Sequence, residues 1–231
     1  MKDNISLKII ARVKTGYRSK FGIPRQSGLV PEAKGVIVFE PEYRNDTALR
    51  GLEDFSHLWL LWKFSESVTE DWSPTVRPPK LGGNARVGVF ATRSPFRPNP
   101  IGLSSVKLEG IEYGTPVGAV IHISGADLLD NTPVYDIKPY IAYTDSHPDA
   151  TGGFSDAVKN RRLKVDFGEV NTSFLDDQTK KELEDILSQD PRPGYQQDKE
   201  RVYRFEYSCF SIAFRADEDK INVVSIEKLS F

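Results

Sequence analysis

Four proline-stiffened loops hold the residues best suited to chemistry. "FATRSPFRPNPIG" (90–102) places Arg93 and Arg97 four apart, with Asn99 close behind. Its three prolines fix the backbone, so little chain entropy is lost when both guanidinium groups close on a ligand. In "GIPRQSG" (22–28), Arg25 stands between Pro24 and Gln26, a cation and an amide suited to an anion or a purine edge. "TVRPPKLGGN" (75–84) carries Arg77 and Lys80 on a chain that is stiff and then flexible, and Arg86 follows. "DLLDNTPVYDIKP" (127–139) contributes Asp127, Asp130 and Asp136, and its "DNTP" is a strong turn signal whose backbone groups can face a ligand. Any one of these loops reads equally well as a turn shaped by its prolines. Four in one domain point to a composed pocket, because binding groups concentrate on loops held by a rigid scaffold.

The charge pattern names the ligand class. The chain has 33 acidic and 31 basic residues in 231, a net charge of −2, which argues against a uniformly basic nucleic-acid binder. Yet no Asp or Glu occurs from Trp72 to Leu108, while Arg77, Lys80, Arg86, Arg93, Arg97 and Lys107 all do. Such a segment in a slightly acidic chain reads as a local anion site, with nucleotide or nucleic-acid phosphate as the natural partner. A solvated face with counter-charges from elsewhere in the fold is the alternative.

Several chemistries find no support. His57, His122 and His147 lie far apart without ligand spacing, so no metal site is expected. There is no G-x-S-x-G elbow, no Walker sequence and no G-x-G-x-x-G after a strand; "KLGGN" leads into strand-like "ARVGVF" instead of a helix. The lone Cys209, inside the alternating run "RFEYSCFSIAF", reads as a structural thiol, and one cysteine fits a reducing compartment. No stretch reaches the roughly 20 apolar residues of a membrane span, and "MKDNISLKII" lacks a signal core. A soluble cytoplasmic protein without membrane or metal partners is expected.

Elements able to position these loops are mostly strands. "SLKIIARV", "KGVIVFE", "HLWLLWKF", "ARVGVFAT", "LSSVKLEGIEY", "GAVIHISGA" and "PVYDIKPYI" alternate or run apolar between Gly, Pro and Asn punctuation. One short helical interruption is expected at "NDTALRGLEDF", capped by Asn45 or Asp46, and a hairpin turn at "YGTP". The fold class is mainly β: a small antiparallel barrel, closed because closure removes exposed edges, followed by a small α+β domain. The first domain is assigned to residues 1–150, and the linker and second domain to 151–231. In the latter, "SFLDDQTKKELEDILSQD" reads as a helix capped by Ser173 or Asp176 and stopped at "DPRPG". "RVYRFEYSCFSIAFRA" and "KINVVSIEKLSF" read as two strands joined across "DEDK".

Together "GIPRQSG", "GLEDFSHLWLLWKF", "TVRPPKLGGNARVGVFATRSPFRPNPIGLSSVKLEGI" and "DNTPVYDIKPYIAYTDSHPDA" closely resemble the TrmO-type family of tRNA (adenine) N6-methyltransferases built on a TsaA-like barrel. The resemblance covers about residues 5–150, and "DPRPGY" near the C-terminus also recurs in bacterial members. It implies an enzyme that uses S-adenosylmethionine on a small barrel and methylates the exocyclic nitrogen of threonylcarbamoyladenosine beside the anticodon of a threonine tRNA. It also implies a homodimer. Another substrate on the same fold, or a catalytically silent RNA-binding barrel, are the competing readings.

Carried over by position, the family's donor contacts fall on Pro24, Arg25, Gln26, Ser65, Glu66, Arg93, Leu103, Asp130, Asn131, Thr132 and Pro133. Ser65 stands where many relatives have histidine. Asn131 replaces a glycine, and Asn tolerates positive φ, so the turn survives. Because the donor brings its own leaving group, the protein must chiefly align the nucleophile and manage one proton. From residue type and motif position, Asp136 is expected to accept that proton, and Arg97, Asn99, Lys138 and Tyr140 to face the substrate. Arg77, Lys80 and Arg86 are assigned to tRNA phosphate. Arg192, Tyr195, Arg201 and Arg204 would let the C-terminal domain grip the anticodon arm, unless its role is structural or dimer-forming.

Overall fold

The structure is a computed structural model that describes residues 5–66, 72–78, 81, 85–158, 162–192, 196 and 198–230. Lys80 and Tyr195 lie outside the described residues. The first unit contains β1 (Ala11–Thr15), β2 (Lys34–Phe39), β3 (His57–Lys63), β4 (Thr75–Val76), β5 (Val87–Gly88), β6 (Ile101–Thr115), β7 (Gly118–Ser124) and β8 (Thr132–Pro139). Six of them close into a barrel in the order β1-β2-β7-β6-β3-β8, and β4 and β5 form a separate two-stranded ribbon. Every barrel pairing is antiparallel.

Period-two alternation explains which way each strand faces. Along β3, Leu58, Leu60 and Trp62 turn inward and are buried, whereas His57, Trp59, Leu61 and Lys63 are only half covered. Ile37, Leu58, Leu60, Ile121 and Ile123 fill the interior and are fully buried. Eight-stranded barrels are only just wide enough for side chains, so a six-stranded one has no lumen to offer a ligand. A site must be built at a mouth or on the outside. A bulge in the β3–β8 pairing, between Leu61 and Trp62, keeps Val134 and Ile137 facing the core and sends Asp136 outward opposite Leu61.

After β8 the first unit ends in α1 (Ala142–Asp145), whose Asp145 accepts from the Trp59 indole at 2.8 Å; the second unit holds β9 (Lys164–Asp166), α2 (Asp177–Ser188), β10 (Tyr203–Tyr207), β11 (Phe210–Ala216) and β12 (Lys220–Lys228). The sheet order is β10-β11-β12-β9, with β9 parallel to β12. Asp176 caps α2 by accepting the Thr179 N–H at 2.6 Å, and Leu183, Ile186 and Leu187 face the sheet. This second core also takes in Tyr17, Val30 and Ala33 from the segment between β1 and β2.

Several expectations are corrected. "NDTALRGLEDF" forms two short 3₁₀ turns, Asp46–Leu49 and Leu52–Asp54, with Gly51 at φ 82 breaking the run; Asn45 is the cap. Of "ARVGVFAT", only Val87–Gly88 is strand, and a 3₁₀ turn follows. The hairpin turns two residues later than expected, with Thr115 opposite Gly118. "RVYRFEYSCFSIAFRA" is two strands, β10 and β11, because Ser208 at φ 54 folds the chain back. Arg192 is 7% exposed and hydrogen-bonded inside the domain, which removes it from any RNA surface.

Candidate active site

Barrel topology places three long connections at one end. β3 ends where β6 begins, with Lys63 opposite Ile101; β7 ends opposite the start of β2; and β8 begins opposite Val13 near the end of β1. Among the described residues, 16–33, 64–66, 92–100 and 125–131 therefore rim the same mouth. Between them lies a cavity of about 560 Å³, within the range of small-molecule and cofactor sites. One wall is Lys20, Ile23, Pro24, Arg25 and Gln26, and the next is Trp62, Lys63, Phe64, Ser65 and Glu66. The proline-rich loop supplies Thr92, Arg93, Pro95, Arg97 and Asn99; Ile101, Gly102 and Leu103 start β6; Asp127, Leu129 and Thr132 form the floor.

Short-range bonds fix each rim segment. Thr92 Oγ1 donates to the Val89 carbonyl at 2.8 Å, and Arg97 donates to the Thr92 carbonyl at 3.1 Å, so Arg97 partly serves to hold its own loop. The Phe64 N–H donates to the Pro100 carbonyl at 3.0 Å and ties that loop to the end of β3. Lys20 donates to the Glu66 carbonyl and joins the first two walls. Arg93 donates to Gln26 Oε1 and brings two sequence-predicted donor contacts together across the cavity. Arg25 donates to the Arg192 carbonyl at 2.9 Å, and burial lowers the pKa of its guanidinium.

The "DNTP" corner is locked to the end of β1. Asp130 Oδ1 accepts from the Thr15 N–H at 3.0 Å, and the Asp130 and Asn131 N–H groups donate to the Tyr17 and Val13 carbonyls at 2.8 Å each. Asn131 has φ 66, the left-handed backbone that its side chain tolerates, and Lys14 donates to its Oδ1 at 2.9 Å. Among these four residues Thr132 lines the cavity, while Asp130, Asn131 and Pro133 are outside the lining and hold the turn.

Asp127 is the floor's ionisable group. The Trp62 indole donates to Ser104 Oγ at 3.0 Å, and Ser104 donates to Asp127 Oδ1 at 2.6 Å. Gly102 makes this chain possible: a Cβ there would sit 2.2 Å from the Trp62 ring. Burial raises the Asp127 pKa, opposed by the Ser104 hydroxyl, the backbone N–H groups of Asp127 and Ser27, and the Arg93 charge. Sequence reading found Asp127 only as one of three loop acids. It did not flag Trp62, Phe64, Ile101 or Leu129, whose apolar character is as well explained by a core.

The expected proton acceptor, Asp136, and two expected substrate-facing residues, Lys138 and Tyr140, lie outside the cavity lining. Asp136, Lys138 and Tyr140 run away from the mouth along the outside of β8. Lys138 pairs with Asp136 at 2.8 Å, and the Tyr140 ring lies 5.4 Å from Trp59. Leu61 separates Leu103 on one neighbouring strand from Asp136 on the other, which puts Asp136 roughly 10 Å across the sheet from the cavity lip. Arg77 and Arg86 are exposed on the β4–β5 side, where the exposed rings of Trp72 and Phe90 lie 6.2 Å apart. Among the described residues no cluster of His, Cys, Asp or Glu could hold a metal, and no helix is long and apolar enough to cross a membrane.

Comparison with known proteins covers both units. Residues 12–146 match the family model described as tRNA-methyltransferase O N-terminal domain, and residues 160–229 match the TrmO C-terminal domain. The chain is 39% identical over 226 residues to the tRNA (adenine(37)-N6)-methyltransferase of Escherichia coli, covering 94% of this chain and 96% of that protein. Over 142 residues it is 33% identical to a "Probable S-adenosyl-L-methionine-binding protein" of Methanothermobacter thermautotrophicus, covering 62% of this chain and 94% of that one. The crystal structure of TrmO from Pseudomonas aeruginosa superposes with a TM-score of 0.80 at 33% identity, covering 99% of both chains. With a mouth built from the loops its motifs encode, and with matches spanning barrel and C-terminal unit alike, the chain belongs to the tRNA-methyltransferase O family.

Proposed function

We propose that the barrel mouth binds S-adenosylmethionine and that the chain methylates N6 of adenosine 37 in a tRNA, with threonylcarbamoyladenosine in a threonine tRNA as the specific substrate. The observation that carries this reading is the gathering of Gln26, Arg93, Asp127 and Thr132 around one cavity. The donor set suits the ligand's chemistry. Arg93 offers a cation to its carboxylate, Asp127 offers an anion to its positive centres, and Phe64, Ile101, Leu103 and Leu129 offer apolar surface to its adenine. Bound there, the group supplies an electrophilic methyl on a sulfonium.

The protein's tasks are alignment and one proton. In threonylcarbamoyladenosine N6 is conjugated with a carbonyl and attacks well only as its proton leaves. The N6–carbon bond then forms as the carbon–sulfur bond breaks. Asp136 is the proposed acceptor of that proton, which requires the methyl to be delivered at the outer lip, over Leu103 and Leu61. Arg97 and Asn99 at the lip, with Lys138 and Tyr140 on the outer face, would hold the modified base there. Arg77, Lys80 and Arg86 would take phosphates, and the neighbouring Trp72 and Phe90 rings would stack on unpaired bases. Homodimer formation is part of the same proposal. It is supported by the exposed Ile141 and Tyr143 beside the β3–β6–β8 outer face.

Gln26→Ala and Arg93→Ala should each weaken S-adenosylmethionine binding by about ten-fold or more in calorimetry. Asp136→Asn should keep that affinity and lose about 10²-fold or more in kcat; unchanged turnover across the pH range would remove Asp136 as the base.

Asp127→Asn separates binding from stability. Burial raises the folded pKa above the unfolded one, so the stability linked to this proton is full below the unfolded pKa and is lost as pH rises through the folded one. The ligand-free variant should therefore gain Tm relative to wild type at pH 8, by a few degrees, with the gap closing toward pH 4. Donor affinity should meanwhile fall and lose its rise with pH; a variant that binds the donor like wild type at pH 8 would exclude the counter-charge role.

Neutralising Arg77 and Arg86 together should reduce the salt slope of tRNA binding by about two, and Trp72→Ala should weaken binding without changing that slope. An unaltered slope counts against the phosphate assignment. Sedimentation velocity should give twice the 26.0 kDa chain mass; a monomer at micromolar concentration would remove the homodimer.

A further inference from the structure

The segment that carries the proposed donor loop is built into the other unit. After β1, Gly16 accepts the Ser208 N–H at 2.7 Å, and Tyr17 forms an antiparallel bridge with Tyr207 at the end of β10. Arg18 donates to the Ser208 carbonyl at 2.6 Å. The Phe21 ring packs against the adjoining Tyr203 and Phe214 rings, at 6.1 and 6.2 Å. Gly22, at φ +100, lies so close to Phe205 that a Cβ would come within 2.6 Å of the ring. Three residues on, the side chain of Arg25 reaches the Arg192 carbonyl.

Arg192 cannot drift. Its guanidinium is paired with Asp190 at 2.8 Å and donates to the Ala216 and Asp217 carbonyls at 3.0 Å each, at the end of β11. The arginine of the "DPRPGY" motif is thus spent inside the C-terminal unit, and its backbone oxygen is what accepts from Arg25. A carbonyl fixed by the frame around it gives Arg25 one position, and with it the peptide between Pro24 and Gln26.

We infer that the C-terminal unit sets donor affinity: Arg192 is a positioning residue that holds the Pro24–Gln26 wall of the cavity through Arg25. This rests on the proposed assignment of that wall to S-adenosylmethionine. Lowering the order of the wall makes the free protein pay more entropy on binding, so the loss falls on the donor Kd.

Calorimetry with S-adenosylmethionine on the full-length protein tests it, using Arg192→Ala, Arg192→Lys and, as a control, Val223→Ala, which opens the same buried sheet elsewhere. Arg192→Ala should weaken Kd roughly ten-fold. Arg192→Lys should weaken it less, since it keeps the charge pair with Asp190 but not the forked reach to both carbonyls. Val223→Ala should lower Tm and leave Kd unchanged. Wild-type affinity in a natively folded Arg192→Ala overturns the inference; if that variant fails to fold, wild-type affinity in Arg192→Lys overturns it equally. Val223→Ala weakening Kd as much as Arg192→Ala also overturns it, because the effect would then be general destabilisation. Wild-type affinity in Gln26→Ala would refute the wall's role in donor binding itself, a failure distinct from that of the latch.

Discussion

A closed six-stranded antiparallel barrel has no lumen and no edge, so its chemistry must be done where the strands stop. That constraint organises the first unit. Closure makes β3, β7 and β1 end at the same mouth from which β6, β2 and β8 start, and three long connections have to share it. Gln26, Arg93 and Asp127 come from these three connections, 34 to 101 positions apart in sequence, yet they line one cavity because the barrel leaves them no other place.

The cavity floor depends on the core in a more specific way. Trp62 occupies the space that a side chain at position 102 would need, and from there it orders Ser104 toward Asp127. The acid that faces the ligand space is therefore positioned by a tryptophan that is itself part of the barrel packing. Its raised pKa follows from the same burial. Charge, shape and stability are tied at this point, as is common where ionisable groups are held in clefts.

Much of this was legible in the sequence. The apolar run "HLWLLWKF" marks β3, the "DNTP" corner marks the turn whose Asn131 adopts positive φ, and of the two caps expected for α2, Ser173 and Asp176, the second is the one used. Arg93 and Gln26, proposed as partners of one ligand, do meet. What was illegible depends on long-range placement. Nothing local distinguishes Asp127, which becomes buried, from Asp136, which a bulge turns outward beside Lys138. The turn at Ser208 has no Asn-Gly signal, and Arg18 finds its acceptor 190 residues away, so the docking of residues 16–25 on the C-terminal sheet leaves no pattern in either segment. Arg192 reads as a surface cation by type and is an internal strut by position.

The central claim is that one mouth, rimmed by all three long connections, is where the methyl donor sits. A crystal structure with S-adenosylmethionine bound tests it most directly. The account predicts density between Gln26, Arg93 and Thr132, with a positive centre of the ligand toward Asp127 and its methyl directed to the lip at Leu103. Density on another face, or in the mouth with Asp127 turned away from the ligand, would contradict it.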